Sequence, residues 1–563
     1  MSLDLYGSRY EPTRLFNPWE EFMHRDESKH AADSKAGFRL GHFLPPSPTP
    51  TSPTAAPPPL PTRTSREVVE LFLTYGRHRL DDAIPHQQKL LKDFMQGVIA
   101  QSPVTSTAAP QSNYIDDLKN TPVSDIALLD DRNNHDGCLR KYDKHCSNCY
   151  VVSKKMAIRD LCTHLEGERK TRKFSVDRRI VFIPNLTPHG ALLLAATCAR
   201  RSAIPMRDFL HRYLGRQQAF SVRTSWGFFT EFHISYHAIR LGPIGTTTDP
   251  RKVSGKSLRH SAPLPLRSHT GNDEDLYYHE AQTSSLCWGP DETFWTELFL
   301  VDTYFGSEQN LGTYLENPSL TISGNGFDPP LGGRQMMKEP VFDPREYFLM
   351  KIDRRIEQVA TEYRALVETF NKRMEDYAIE VRIVFQDDDQ RKHTQTLSNV
   401  IETIHTFVDC ISGIIDAWES FSRHEIVLFT RHAPEKLKWP DMLMQINRNM
   451  TELDRLRKLL ITKRELFRSK LESLHTVSSL SQTDTAVKQG NDLKTLTKMT
   501  VYVAFPLLFT TAFFSMSFAN PPYPWAVFIC VLFMVGVVNY IVAETWGNGG
   551  EVMVRWVVVK LRS

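Results

Sequence analysis

The sequence predicts an α+β cytoplasmic domain followed by a long α-helical stalk and a two-helix transmembrane hairpin. Three observations predict it. From Met499 to Ala543 the chain has no Asp, Glu, Lys or Arg. Upstream, from about Pro344, apolar residues recur at steps of three and four. Before that, β-branched and aromatic runs alternate with helix-prone apolar ones, the pattern of mixed α/β structure.

The whole chain sets the frame for these elements. It has 563 residues, of which 24% are charged and 41% hydrophobic, with a net charge of +3. That is the composition of a protein with a packed core, and at about 150 residues per domain it allows about two to four domains. A mean hydropathy of -0.35 argues against a many-span membrane protein but leaves room for a few spans at one end. The near-neutral balance gives no general field for nucleic acid. Eight cysteines are too few and too scattered for a disulfide-stapled secreted scaffold. Met1 to Arg14 contain no apolar signal-peptide core, and Asp4, Glu11, Glu20, Glu21, Asp26 and Glu27 speak against a mitochondrial presequence. The bulk of the chain therefore reads as cytosolic.

Taken in order, residues 1–65 read as a disordered N-terminus with a Pro-rich linker, Pro45 to Pro61. That linker is passive or docks protein partners. Residues 66–177 read as a variable, mostly helical and loop region carrying a cysteine cluster. Residues 178–343 read as the α/β domain: Arg179 to Ile183, Phe228 to Ile239 and Thr293 to Phe305 as strands, Ala191 to Ala199 and Met206 to Leu214 as helices, and Thr246 to Asp275 as a polar surface loop.

Residues 344–498 form the stalk. Leu349, Ile352, Ile356, Val359, Tyr363, Leu366, Phe370, Met374 and Tyr377 make the first stripe; Leu397, Val400, Ile404, Val408, Ile411, Ile415 and Trp418 the second; Ile446, Met450, Leu453, Leu460, Phe467, Leu471 and Leu474 the third. Each stripe marks an amphipathic helix packed on another helix. Residues 499–543 suffice for two spans of about 20 residues each. Asn520-Pro521-Pro522-Tyr523-Pro524 divides them, because paired prolines stop helices. Lys494 and Lys498 precede the first span, and Arg555, Lys560 and Arg562 lie in the tail 544–563, so both flanks read as cytoplasmic. The Asn-x-Thr matches at Asn185 and Asn449 then fall on the cytoplasmic side and read as chance.

Several constellations have two readings. Cys146-x2-Cys149 with Cys162 and His164, near His135, Cys138 and His145, offers zinc ligands or simply reduced thiols. Asp387 to Asp389 offer a cation site or a solvated helix stop. His233 and His237 share a strand face, where satisfied structural histidines are the default. No phosphate-binding loop, dinucleotide fingerprint or supported Ser/His/Asp pattern is present in the sequence, so it supports no enzymatic activity.

The order of domain, stalk, two spans and basic tail resembles CorA-type divalent-cation transporters, and more narrowly the divergent fungal CorA-like proteins. Pro506-Leu507-Leu508-Phe509 stands where the family carries Pro-Leu-x-Phe in its first span. Phe514-Ser515-Met516-Ser517-Phe518 stands where it carries an aromatic residue and then Gly-Met-Asn-Phe. Asn491 stands where relatives place a pore-facing Asn near the inner mouth. The resemblance implies a funnel-shaped homopentamer in a lipid bilayer, with the first spans lining a central pore. Hydrated Mg²⁺ would meet a ring of amide and carbonyl oxygens there, since it dehydrates reluctantly. It also implies a transported divalent cation and no resident cofactor. This chain departs at the ring itself: Ser515, Met516 and Ser517 replace Gly-Met-Asn, and the outer loop is short and uncharged. Phe505 and Phe513 are candidates for a dry constriction. Pro506 is the candidate kink, and the small polar residues of this span serve either the pore or helix packing. Two functions stay open: a homo-oligomeric divalent-cation pore, or a non-conducting membrane-anchored scaffold or sensor. A soluble metal-binding regulator built on the Cys146 cluster is the third.

Overall fold

The computed structural model describes residues 39–43, 62–76, 85–99, 113–119, 125–133, 150–166, 169–171, 174–224, 227–242, 248–266, 275–306, 328–332, 341–381, 391–430, 439–515 and 523–541. The chain divides into two units, Met1–Ile383 with Gln395–Arg468, and Val384–Thr394 with Ser469–Ser563.

The first unit is built on one sheet. Its strands are β1 (Ile126–Asn133), β2 (Tyr150–Ala157), β5 (Arg178–Pro184), β6 (Ala219–Arg223), β7 (Phe228–Leu241), β10 (Ser261–Pro263), β11 (Leu276–Gly289) and β12 (Trp295–Val301). They lie in the order β2-β1-β5-β12-β11-β7-β6, with β10 also paired to β11. Strands β3 (Lys170–Thr171) with β4 (Phe174–Ser175), and β8 (Lys252–Val253) with β9 (Lys256–Ser257), form two small ribbons. Only β12 with β5 is a parallel pair among these described strands; Trp295 lies opposite Arg178 and Val301 opposite Pro184.

Alternation along the strands sorts the two faces. Val181, Ile183, Leu286, Leu298 and Leu300 join one buried cluster with helices α1 (Ser65–Thr74), α2 (Pro85–Ile99), α3 (Tyr114–Lys119), α4 (Ile158–Glu166), α5 (Pro188–Thr197) and α6 (Ala203–Leu214). Ile180, Phe228, Cys287 and Trp295 join the other, with Tyr347 of helix α7 (Pro344–Val381). Period-two alternation with both faces covered explains why the central strands are buried almost throughout. Helix α1 starts where Thr64 and Glu67 form a reciprocal capping box. Helix α5 is buried along Gly190 to Ala196, as a helix that is apolar all round must be.

Three features differ from the sequence reading. First, the sheet opens at Ile126, within the region expected to be helical and loop-like. Strand β1 has Asp130, Asp131 and Arg132 at its centre, which hides it from an apolar search. These charges are buried by pairing: Arg132 bonds Asp130 at 2.9 Å and Asp328 at 3.0 Å, and Arg179 holds Asp131 at 2.7 Å. Second, the polar stretch Thr246 to Asp275 is more than a surface loop. Asp249, Arg251 and Arg259 within it are buried, because Arg251 and Arg259 reach Asp302 at 2.8 and 2.6 Å. Third, the stripe of α7 packs on the sheet as well as on helices. Phe348 meets Phe232, Tyr363 meets His237, and the Lys351 ammonium bonds Glu297 and Ser285.

The remaining stalk helices of this unit follow their stripes. In α8 (Lys392–His424), Leu397, Val400, Ile404, Val408, Ile411, Ile415 and Trp418 are buried. A short helix α9 (Ile426–Thr430) follows. Helix α10 (Trp439–Met499) runs for 61 residues. Trp418 donates its indole N–H to Asn447 at 2.9 Å, Tyr377 stacks on Phe467, and Arg364 pairs with Glu452 at 3.2 Å, so the three helices interlock.

The second unit contains the rest of α10, a π turn at Thr500–Ala504, helix α11 (Phe505–Phe514) and helix α12 (Pro524–Ile541). Among the described residues, two helical runs are long and apolar enough to cross a membrane: Trp439–Phe514, which includes α10 and α11, and Pro524–Ile541.

Candidate pore-forming segment

Pro506 decides the local geometry of the first apolar helix. It has no N–H to give the carbonyl four residues back, and its ring crowds that carbonyl. The turn just before it widens into a π turn, with the Phe505 N–H reaching the Thr500 carbonyl. Beyond it the α-helix resumes to Phe514. Asn539 of α12 donates to the Val501 carbonyl inside the π turn at 3.4 Å. Tyr502 meets Tyr540, and Phe514 meets Phe528, with ring centroids 5.8 and 5.5 Å apart.

One face of α11 is a ladder of phenylalanines. Phe505 and Phe509 lie 6.3 Å apart and Phe509 and Phe513 lie 6.5 Å apart, both near-parallel. They recur every four residues, hence on one face. All three remain more than a third exposed, at 54%, 47% and 38%. Pro506 and Thr510, each one position on from a ladder phenylalanine, are buried. Sequence reasoning picked Phe505 and Phe513 and missed Phe509 between them, which the i, i+4 spacing reveals. It also missed Asn539, a lone amide in an apolar run.

The hydroxyls of this helix bond first to its own backbone. Thr510 donates to Pro506 O at 2.7 Å, Thr511 to Leu507 O at 2.7 Å and Ser515 to Ala512 O at 2.8 Å. Such back-bonding satisfies a hydroxyl in an apolar setting and leaves its oxygen lone pairs able to accept. Ser515 caps the helix and is exposed. Met516 and Ser517 lie outside the described residues. Asn491 lies on α10 in a stretch, 482–500, in which every residue is exposed, including Val487, Leu493, Leu496 and Met499.

The other sequence candidates fall elsewhere. Cys162 and His164 both sit on α4, two residues apart. Cys162 is buried, and its thiol is pushed up to about 12 by burial first and then by Glu166. His164 is exposed and its Nδ1 lies 3.1 Å from the Asp160 carbonyl. The structure thus does not bring these two together. Cys146, Cys149 and the Asp387 to Asp389 run lie outside the described residues. Among the described residues, no group of three or more His, Cys, Asp or Glu side chains is placed to hold a metal ion. His233 and His237 are satisfied structural residues. His233 lies 2.8 Å from Glu231 and 2.7 Å from Ser284, and His237 lies 3.1 Å from the Tyr363 hydroxyl. Burial pulls both below the ordinary histidine range.

No curated protein matches the chain. A family model described as "CorA-like Mg2+ transporter protein" matches residues 351–543. The matched region begins in α7 at the residue that bonds Glu297, takes in the stalk helices and ends past α12; the sheet lies outside it. Over residues 351–543 the chain is therefore similar to the CorA-like Mg2+ transporter family.

Proposed function

We propose that the protein is a multi-pass membrane protein that passes a divalent cation through a homo-oligomeric pore lined by α11. The observation that carries the proposal is the family match over residues 351–543, which ends on the two apolar helical runs. Mg²⁺ is the first ion to test, from the family's description. Contacts from Tyr502 to Tyr540 and from Phe514 to Phe528 support a hairpin of α11 and α12. A helix exposed on all sides over 482–500, with four large apolar side chains, gains stability from further copies of itself.

In this reading Ser515, Met516 and Ser517 form the outer ring and Asn491 stands at the inner mouth. The serine hydroxyls and the Met516 backbone carbonyl replace the amide ring of the family. They accept hydrogen bonds from the water shell of a hydrated cation. The Phe505, Phe509 and Phe513 ladder faces the axis as a dry constriction, which blocks a hydrated ion until the ring widens. The π turn and Pro506 give α11 the local freedom to move. No bond is made or broken; the membrane potential, inside negative, drives the cation inward at about 2.3 kcal/mol per charge per 100 mV.

The test is rescue of growth and Mg²⁺ uptake in cells lacking their own importer. Wild type is expected to restore uptake. Ser517→Asn, which returns the family's amide, is expected to raise it. If both assemble in the membrane and neither restores uptake of any divalent metal, the pore reading fails and a membrane-anchored scaffold takes its place. Rescue by Ser517→Asn alone would mark the natural ring as a degenerate one.

A further inference from the structure

The sheet-bearing unit holds a cavity of about 100 Å³ between the α4–α5 layer and the ends of β5, β11 and β12. Arg39, Arg169, Arg179, Thr197, Trp288 and Phe294 are among the residues that line it. The three arginines come from separate stretches of chain, yet they are only 4%, 8% and 7% exposed. Burying one guanidinium is costly, and gathering three around one space is more so.

Their contacts hold them in place at the wall. Arg179 clasps Asp131 through Nε and Nη2, at 2.7 and 2.9 Å. Arg169 donates to neutral oxygens: Thr296 Oγ1 at 2.8 Å, and the Asp177 and Trp295 carbonyls at 2.8 and 2.9 Å. It also lies 4.1 Å over the Phe294 ring. Arg39 sits in a short strap whose backbone bonds α5 and the turn after it: Leu40 N to Cys198 O at 3.1 Å and Gly41 N to Ala196 O at 2.8 Å. Glu166 offsets part of the cost of burying Arg39. One wall is tight backbone, since a Cβ on Gly289 would meet the Phe294 carbonyl oxygen at 2.3 Å.

We propose that this cavity binds a small oxyanion, with phosphate as the fitting size and shape. Guanidinium forks match the paired oxygens of phosphate and carboxylate groups. The Trp288 indole and the Phe294 ring give the site apolar walls, which strengthen the attraction. The space equals about three water volumes, enough for one oxyanion group and well below the roughly 300 Å³ or more of a pocket for a larger ligand. The occupant is therefore a free oxyanion or the tip of a larger molecule. The proposal goes beyond cation passage and stands or falls independently of it.

Trp288 borders the cavity on the helix-covered face of the sheet and serves as the reporter. The purified full chain in detergent is titrated with inorganic phosphate, and separately with acetate, against chloride at equal ionic strength. Tryptophan fluorescence and melting temperature are read together. The wild type is expected to give a saturable fluorescence change and a rise in melting temperature with phosphate. A saturable response to acetate alone would assign the site to carboxylate instead of phosphate and overturn the phosphate assignment. Arg39→Gln is expected to weaken the response by about tenfold or more. Thr197→Leu fills the cavity without touching a charge and is expected to abolish the response while the protein still melts cooperatively in chloride. No saturable response to either anion overturns the proposal. So does a response that both variants retain.

Discussion

In the sheet-bearing unit the charges lie inside: Lys351 and Glu297 are both fully buried, as are Arg259 and Asp302. In the C-terminal unit the apolar side chains lie outside: Leu508 is 66% exposed and Phe533 is 74% exposed. The two units therefore need different surroundings. A core laced with ion pairs is complete in water once each charge has its partner. An exposed apolar helix is complete only in lipid or against further helices. The family match takes in helices of the first unit and the apolar helices of the second. The sheet lies outside the matched residues, and its cavity is an oxyanion site of a kind that the apolar helices do not offer.

This contrast can be broken in order of expected effect. Asp302→Asn removes the carboxylate that Arg251 and Arg259 share, at 2.8 and 2.6 Å. The loss of folding stability should be about 3–5 kcal/mol, read by urea denaturation of the full chain in detergent. A loss below about 1 kcal/mol, the scale of an exposed pair, would mean the buried charges do not carry the unit. Next is Phe533→Asp. In water a change at so exposed a position is nearly neutral, but mid-span it should cost about 3 kcal/mol of insertion. The fraction of chain resistant to carbonate extraction should fall accordingly; an unchanged fraction would place α12 outside the bilayer.

Acid should act on the first unit next. Burial pushes the Asp302 carboxyl up, but Arg251, Arg259 and the Tyr213 hydroxyl outweigh it and hold it at about 2, below the usual 3.8. The folded form is thus the weaker proton binder. Its stabilisation is fully present above about pH 4 and disappears as pH falls toward about 2, worth roughly 2 kcal/mol. Denaturation midpoints across this range should show a drop that Asp302→Asn lacks. The smallest effect belongs to Thr64→Ala, which removes the acceptor of the Glu67 N–H and one half of the α1 capping box. About 1 kcal/mol is expected, and a change within error would show that the strap around residues 62–64 holds α1 without its cap.

The elements that could be read from the sequence are those built on one repeated physical rule. The stripes from Leu349, Leu397 and Ile446 follow the helical period, and nearly all of their members are buried. The charge-free run held both apolar helices, because lipid imposes composition directly. Strand β1 was hidden because Asp130, Asp131 and Arg132 are buried by partners far along the chain, at Arg179 and Asp328. Strand β11 was hidden in the same way, since Gln282, Thr283, Ser284 and Ser285 are buried polar residues. Pairing across long separations leaves no local signal. At the candidate pore, Phe505 and Phe513 were legible as aromatics in a span, while Asn539 gains meaning only beside the Val501 carbonyl. The arginine cavity was invisible for the same reason as β1: Arg39, Arg169 and Arg179 converge only in three dimensions.

The central claim is that residues 499–543 give a divalent cation a route across a bilayer. Its most direct test is Mg²⁺ flux into sealed proteoliposomes bearing the purified full chain, read by a trapped Mg²⁺-sensitive dye under an inside-negative potential. The account predicts flux that rises with the potential, and rises further when Phe509→Ala opens the aromatic ladder. An oligomer that inserts yet passes no divalent ion, with or without Phe509→Ala, would contradict it.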